Sequence, residues 1–292
     1  MRIGILASGG LGYKVLSDLI KQIEKPVFIA SDSNSEYIIE FAKQNSVQLF
    51  TGNPRDGKLV EFLKKYQIEA DLILSINYLF LLDEELIDSL ALAINVHGSI
   101  LPKYRGRTPH VWSIINGEAQ TGVTAHIIDT DCDTGDIVEQ LVIPIEKDDT
   151  GATILKKYEK IYPELLLSVL EEIQSEQLKR VKQDDSKATY FGKRTPDDGL
   201  INWNWHKERI RNWVRAQAHP YPGAFSLLNG EKVIIDEVNY SDVGFSDTIK
   251  NGTILEIKEN PIIKCPNGAI ELTQVRNQDI LEKFKSKMVL NQ

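Results

Sequence analysis

The chain is poor in cysteine. Cys132 and Cys265 are its only two in 292 residues, far apart in sequence, so a disulfide framework is excluded and an intracellular setting is expected. Long hydrophobic runs are missing too. No stretch approaches the ~20 apolar residues that a membrane helix needs. The opening MRIGILASGG carries too short an apolar run for a signal peptide. No membrane partner is therefore expected, and the cytoplasm is the expected compartment. Positive charge is also scarce: 34 Lys and Arg stand against 42 Asp and Glu, for a formal net charge of −8. Proteins that wrap a long polyphosphate usually carry a basic surface, because neutralising phosphates releases counterions. Net acidity leaves room for a local basic pocket but argues against a large nucleic-acid footprint. There is no spaced Cys/His cluster of the kind that holds a metal ion, no internal repeat and no low-complexity segment.

What the chain does contain is an alternation of apolar strands and amphipathic helices. Strands are expected over 2–7, 26–30, 47–50, 71–76 and 92–96, and helices follow the glycine turn SGGLG and span 36–44 and 58–66. The near-continuous apolar character of 71–76 predicts a strand covered on both faces. This alternation predicts an α/β fold with a mostly parallel, Rossmann-like sheet. Two further strands, 121–129 and 137–145, flank the turn TDCDTGD, and a long helix is expected over 153–173. Residues 174–208 are polar and irregular. A short helix then precedes HPYPG and five short strands separated by turns, the pattern of a small OB-like β-barrel. The expected domains are thus 1–180, a linker over 181–209, and 210–292. Apolar strands in the last of these suit a dimer interface as well as a core.

The densest chemical signal is Asn95-Val96-His97. Side chains alternate along a strand, so residues 95 and 97 share a face. They also sit at the carboxyl end of a parallel strand, where open α/β sheets bind ligands. An amide and an imidazole aimed into one crevice suit a reaction that builds negative charge on a carbonyl oxygen. Read alone, the pair is equally compatible with a turn cap and a packed histidine. The second signal is the turn 130–136, with Asp131, Asp133 and Asp136, in which Gly135 permits positive φ. A carboxylate can fix a histidine tautomer and steady its protonated form. For Asp131 and Asp136 an ordinary acidic turn is the simpler reading.

Two segments offer anion sites. Ser8, Gly9 and Gly10 lead into the first helix, whose amino end favours negative charge. The stretch KYRGRTP places Lys103, Arg105 and Arg107 just beyond the Asn95–His97 strand, and arginine forks suit a pyrophosphate. Tyr104 is suited to stack on a base or to pack against the loop.

Together these segments resemble the formyltransferase family, which includes methionyl-tRNA formyltransferase, glycinamide ribonucleotide transformylase and the sugar N-formyltransferases. The family's Asn-x-His strand and Ser-x-Leu-Pro loop match NVHGSILP at 95–102. Its Asp-x-Gly turn matches Asp133, Thr134 and Gly135, with TGVTAH at 121–126 between them. GKRTPDDGLINW (192–203) and HPYPGAF (219–225) are similar to members with a carboxyl-terminal barrel. The resemblance covers nearly the whole chain.

It implies a donor, N10-formyltetrahydrofolate, no metal, and catalysis by Asn95, His97 and Asp133. An unprotonated amine would attack the formyl carbon, Asn95 and His97 would donate to the oxyanion, and Asp133 would orient His97 and help remove the amine proton. The folate would lie against Tyr78, Leu79, Phe80 and Leu81 and the backbone of Asp129, Thr130 and Asp131. KYRGRTP is most similar to sugar-nucleotide members, particularly those acting on a uridine-diphosphate 4-amino-arabinose. The tRNA members carry a basic insertion after the second strand, whereas SDSNSEYIIEFAK (31–43) holds three acidic residues and one lysine. The expected acceptor is a nucleotide-linked amino-dideoxy sugar for cell-surface polysaccharide such as lipopolysaccharide, with a methionyl-tRNA formyltransferase as the alternative.

Overall fold

The structure is a computed structural model that describes residues 1–291. The elements in chain order are β1 (Ile3–Ala7), α1 (Gly9–Leu19), β2 (Phe28–Ser31), α2 (Glu36–Gln44), β3 (Gln48–Thr51), α3 (Lys58–Lys65), β4 (Leu72–Ile76), α4 (Glu84–Asp88) and β5 (Ala93–His97). They continue with β6 (Arg105–Gly106), α5 (Pro109–Ile115), β7 (Gln120–Ile127), β8 (Ile137–Pro144), α6 (Gly151–Gln174) and β9 (Tyr190–Phe191). After these come α7 (Lys207–Ala216), β10 (Ala224–Leu228), β11 (Glu231–Ser241), β12 (Ile254–Ile257), β13 (Pro261–Cys265) and β14 (Gly268–Val275). The chain divides into two compact units: residues 1–109, 121–143 and 155–192 form one, and 110–120, 144–154 and 193–292 the other.

In the first unit a seven-stranded sheet runs in the order β3-β2-β1-β4-β5-β7-β8. The strands from β3 to β5 are parallel, and β7 runs antiparallel to β5. This is the mostly parallel α/β sheet expected. Every residue of β1 and of β4 is buried. Helices cover both faces there, which explains why IGILA and LILSI do not alternate polar with apolar. α2 shows the complementary pattern: Ile38 and Ala42, four apart, are buried, while Tyr37 is exposed. Fully burying a side chain of the size of Ile38 stabilises by about 1.5–3 kcal/mol.

Strand order reverses between β1 and β4, so their carboxyl ends diverge and leave a crevice. Asn77, just past β4 and itself in the left-handed region at φ 54°, closes the bottom of that crevice by donating from Nδ2 to the Ser8 carbonyl at 2.9 Å. α5 begins earlier than the apolar pattern suggests. Pro109 is its first residue, a position where a missing N–H costs nothing. α4 and the two-residue pair β6–β9 carry too little periodicity to stand out in the sequence. The stretch expected to be a linker over 181–209 is divided between the units. Val181 bridges Ile137, and 190–191 pair in parallel with 105–106.

The second unit holds a five-stranded antiparallel half-barrel sheet, β10-β11-β14-β13-β12. Register shifts along β11 against β14 bend it. Arg194 lies between Trp112 and Trp213, at 4.9 and 4.4 Å from their ring centres. Among the described residues no helix is long and apolar enough to cross a membrane.

His110, at the start of α5, is only 9% exposed and shares a 2.8 Å hydrogen bond with the Tyr221 hydroxyl. Burial pushes its imidazole down to about 4. The unfolded chain therefore takes up this proton first as pH falls. Stability from the neutral buried ring is complete above the ordinary imidazole value and is lost as pH falls from about 6.5 towards 4. All four tryptophans lie in this unit, so urea unfolding followed by tryptophan fluorescence reports on it. Between pH 7 and 4 the wild type should lose roughly 3 kcal/mol more than His110→Gln. Parallel pH curves for the two proteins would refute this.

Candidate functional site

The site forms where β5 ends. Asn95 and His97 alternate onto one face, and the antiparallel pairing with β7 sets Asn95 opposite His126 and His97 opposite Thr124. The pairing thereby adds a second imidazole to that face. Thr124 ties down the loop that follows β5. Its hydroxyl donates to the Ser99 carbonyl at 2.7 Å and accepts from the Leu101 N–H and from Gln140.

Asp133 lies between the two imidazoles. Its Oδ2 is 3.5 Å from His97 Nδ1, and its Oδ1 is 3.6 Å from His126 Nε2. The far nitrogen of each ring meets a backbone carbonyl: His97 Nε2 at Tyr104 O and His126 Nδ1 at Ile127 O, both at 2.8 Å. A carbonyl only accepts, so each far nitrogen donates. The nitrogen turned towards Asp133 is then the acceptor nitrogen of the neutral ring. Asn95 Nδ2 sits 3.0 Å from His126 Nε2. His97 and His126 are buried, at 7% and 3% exposure, while Asn95 is half-buried. Asp133 is half-buried as well, so Asn95 and Asp133 are both less enclosed than the two imidazoles.

Asp133 is a non-glycine residue at φ 57°. Gly135, expected to supply the positive φ of this turn, does not. It is required for a different reason: a Cβ there would lie 1.9 Å from the Ile127 carbonyl oxygen. The side chain of Asp133 accepts from the Gly106 N–H at 2.8 Å and from the Cys132 thiol at 3.3 Å. Burial by itself pushes the Asp133 carboxyl up. The neighbouring His97 and His126 imidazoles and the Gly106 N–H together outweigh it and hold the carboxyl well below the usual carboxylate range. Burial beside this carboxylate pushes the Cys132 thiol up to about 12, so it stays protonated and unreactive.

The structure thus brings Asn95, His97 and Asp133 together and adds His126, which sequence reasoning did not single out. The signal was available in TGVTAH, whose last residue falls on the same face as Asn95 once the strand is paired. Arg105 differs from expectation. Instead of facing an anionic ligand, its guanidinium is 1% exposed and donates to Gln183, Asp185 and the Tyr190 hydroxyl. Tyr104 is stacked on Phe191, with ring centres 4.9 Å apart and planes 16° apart. Lys103 and Arg107 are exposed, and Arg107 donates to the Leu79 carbonyl at 2.6 Å.

In the loop after β4, Leu79 and Leu81 are exposed while Tyr78 and Phe80 pack edge to face beneath them. An apolar surface of this kind can receive a flat ring. Asp129 accepts from the Thr134 hydroxyl, and Thr130 and Asp131 are exposed. A cavity of about 520 Å³ opens on this turn, lined by Asp129, Asp131, Gln183, Asp185 and Tyr190 among others. Ser8 is buried and Gly9 and Gly10 are exposed at the exit of β1, where the Gly9 N–H donates to Ser35 Oγ at 2.8 Å. No group of three or more His, Cys, Asp or Glu among the described residues is arranged to hold a metal ion.

The site thus sets an amide, two imidazoles and a carboxylate at one strand end of a mostly parallel α/β sheet. Residues 19–170 match the formyl transferase family, and 193–282 match the formyl transferase C-terminal domain. The chain belongs to the formyltransferase family. It is 36% identical over 313 aligned residues to the bifunctional polymyxin resistance protein ArnA of Wigglesworthia glossinidia brevipalpis, covering 99% of this chain and 46% of that protein. It therefore spans about half the length of that relative. Two solved structures share the fold. One is WlaRD, a sugar 3N-formyl transferase crystallised with dTDP and 5-N-formyl-THF (23% identity, TM-score 0.69, 95% of this chain and 98% of that one). The other is an N-formyltransferase of Helicobacter canadensis in complex with folinic acid and dTDP-3-aminofucose (21%, TM-score 0.70, 94% and 99%).

Gly106 is a second tight point of the site. It has φ 101°, and a Cβ there would lie 2.3 Å from the Phe191 carbonyl oxygen. Gly106→Ala should therefore cost about 1–3 kcal/mol in backbone strain alone, read as a lowered midpoint in denaturant by far-ultraviolet circular dichroism. A variant as stable as the wild type would show that the backbone at 106 is not constrained in this way.

Proposed function

We propose that the chain transfers a formyl group from N10-formyltetrahydrofolate to the amine of a nucleotide-linked amino-dideoxy sugar used for cell-surface polysaccharide such as lipopolysaccharide. The observation that carries this reading is the convergence of Asn95, His97 and Asp133 at one strand end in a member of the formyltransferase family. The residues after β4 and in the 129–131 turn fit the folate: Leu79 and Leu81 offer an apolar face, and the exposed turn offers backbone polar groups. When bound, the folate supplies the one-carbon unit at the oxidation level of formate.

The chain's own residues then divide the work. Asn95 has an amide hydrogen beyond the one turned to His126, and this donates to the formyl oxygen as that atom gains negative charge. His97 adds a second donor when its Nε2 exchanges the Tyr104 carbonyl for the same oxygen. Asp133, kept ionised, would steady the imidazolium formed when the amine's proton is taken up, and that proton would be returned to the departing folate nitrogen as its bond to the formyl carbon breaks. His126 shares that carboxylate and orients Asn95. Lys103 and Arg107 reach towards the phosphates of the acceptor, and Ser8, Gly9 and Gly10 present a helix amino end to them.

The choice of a sugar acceptor draws on the ArnA relative, on the dTDP present with WlaRD and the dTDP-3-aminofucose bound by the Helicobacter canadensis enzyme, and on the acidic 31–43 segment. We place the reaction in the cytoplasm. Incubation with N10-formyltetrahydrofolate and a panel of dTDP- and UDP-linked amino sugars should yield formylated sugar nucleotide. Transfer to charged initiator tRNA with none to the sugars would overturn the acceptor assignment. His97→Ala and Asn95→Ala should each lower kcat by about 10²–10³. Unchanged rates in folded variants would remove both from catalysis.

A further inference from the structure

Gln183 lies in the segment that reads as a linker, yet it is 6% exposed. Its carboxamide makes four hydrogen bonds. Nε2 donates to the Asp133 carbonyl at 2.9 Å and to the Gly135 carbonyl at 2.7 Å. Oε1 accepts from Arg105 Nη2 at 2.8 Å and from Arg105 Nε at 3.2 Å. Carbonyls only accept and guanidinium only donates, so the amide's orientation is fixed and its hydrogen-bonding capacity is used in full.

These contacts bear on a residue at the centre of the site whose backbone is strained. Asp133 sits at φ 57°, a conformation that costs a non-glycine residue about 1–2 kcal/mol. It persists only where the surroundings over-determine it. Two anchors do so: Gln183 holds the main chain on either side of Thr134, and the Gly106 N–H holds the carboxylate. Both trace to one two-residue strand, because Arg105 grips Gln183 while its neighbour Gly106 grips Asp133. That strand is set in turn by 189–191. The Arg105 N–H donates to the Thr189 carbonyl at 2.8 Å and the Arg107 N–H to the Phe191 carbonyl at 2.9 Å.

We infer that Gln183 is a positioning residue, which holds the backbone of Asp133 so that its carboxylate stands between His97 and His126. It touches neither imidazole nor any reacting atom, and it acts through Asp133. The inference rests on the reading of Asp133 as part of the reacting group, and its test separates the two.

The test uses the full chain with 13Cγ-labelled aspartate, the Asp133 signal being assigned by its loss in Asp133→Asn. In the wild type this carboxyl should show no titration step above about pH 4. In Gln183→Ala the carboxylate drifts from the Gly106 N–H while still buried, and a step should appear above that pH. Gln183→Glu keeps the size and the Arg105 partner but turns an acceptor towards two carbonyls. It should do the same, and it serves if the alanine variant fails to fold.

In both variants kcat should fall by up to about a hundredfold, while KM for donor and acceptor stays within about twofold. A loss confined to folding stability would move neither the titration nor the kcat-to-KM split. Lys187→Ala, which removes an exposed ion pair with Asp184 in the same segment, should leave both readouts unchanged. A folded Gln183 variant whose Asp133 titration matches the wild type overturns the inference, whatever its rate. A shifted titration with unchanged kcat leaves Gln183 as the positioning residue and removes Asp133 from the chemistry.

Discussion

The first unit is organised around a buried carboxylate. A charge removed from water is costly unless it is paired and hydrogen-bonded. Asp133 meets that condition with two imidazoles, a backbone amide and a thiol. Each of these partners comes from a different part of the chain: β5, β7, β6 and the 130–136 turn. The carboxylate therefore fixes the relative placement of four segments, and it does so at the edge where the sheet changes from parallel to antiparallel.

The same need explains the short pairing between 105–106 and 190–191. Two residues on each side are too few to stabilise a sheet by themselves. Their value is geometric. The pairing lets one backbone approach another closely enough for the Gly106 N–H to reach Asp133, which is why position 106 has no side chain. It also buries Arg105, whose fork then faces Gln183, Asp185 and Tyr190 instead of solvent. A cation that looks available to a ligand in the sequence is spent inside the protein. Lys103 and Arg107, on either side of it, remain exposed and keep the positive charge of the loop.

The two histidines share one electrostatic logic. A backbone carbonyl fixes the tautomer of each ring, and both turn their remaining nitrogen to the same anion. A proton taken up on either ring lies beside Asp133, so charge formed during a reaction is met by charge already in place. Asn95 is less enclosed than either ring and lies beside His126.

Much of the architecture was legible in the sequence. The apolar runs at 71–76 and 92–96 and the periodic helices fixed the α/β alternation, because burial imposes its period on side chains locally. That Asn95 and His97 share a face followed from strand alternation alone. His126 did not, because its place opposite Asn95 depends on the antiparallel register of β7, which no local pattern encodes. Gln183 and the pairing around it were hidden for a related reason: a polar, aperiodic segment looks like a linker until its hydrogen-bond partners are known. By itself the sequence determined the order of the principal strands and helices and the family, and it offered Asn95, His97 and Asp133 as candidates. Only the tertiary structure decided which of them meet, because Asn95 and His126, Gly106 and Asp133, and Arg105 and Gln183 are far apart along the chain and are joined by long-range hydrogen bonds and not by spacing.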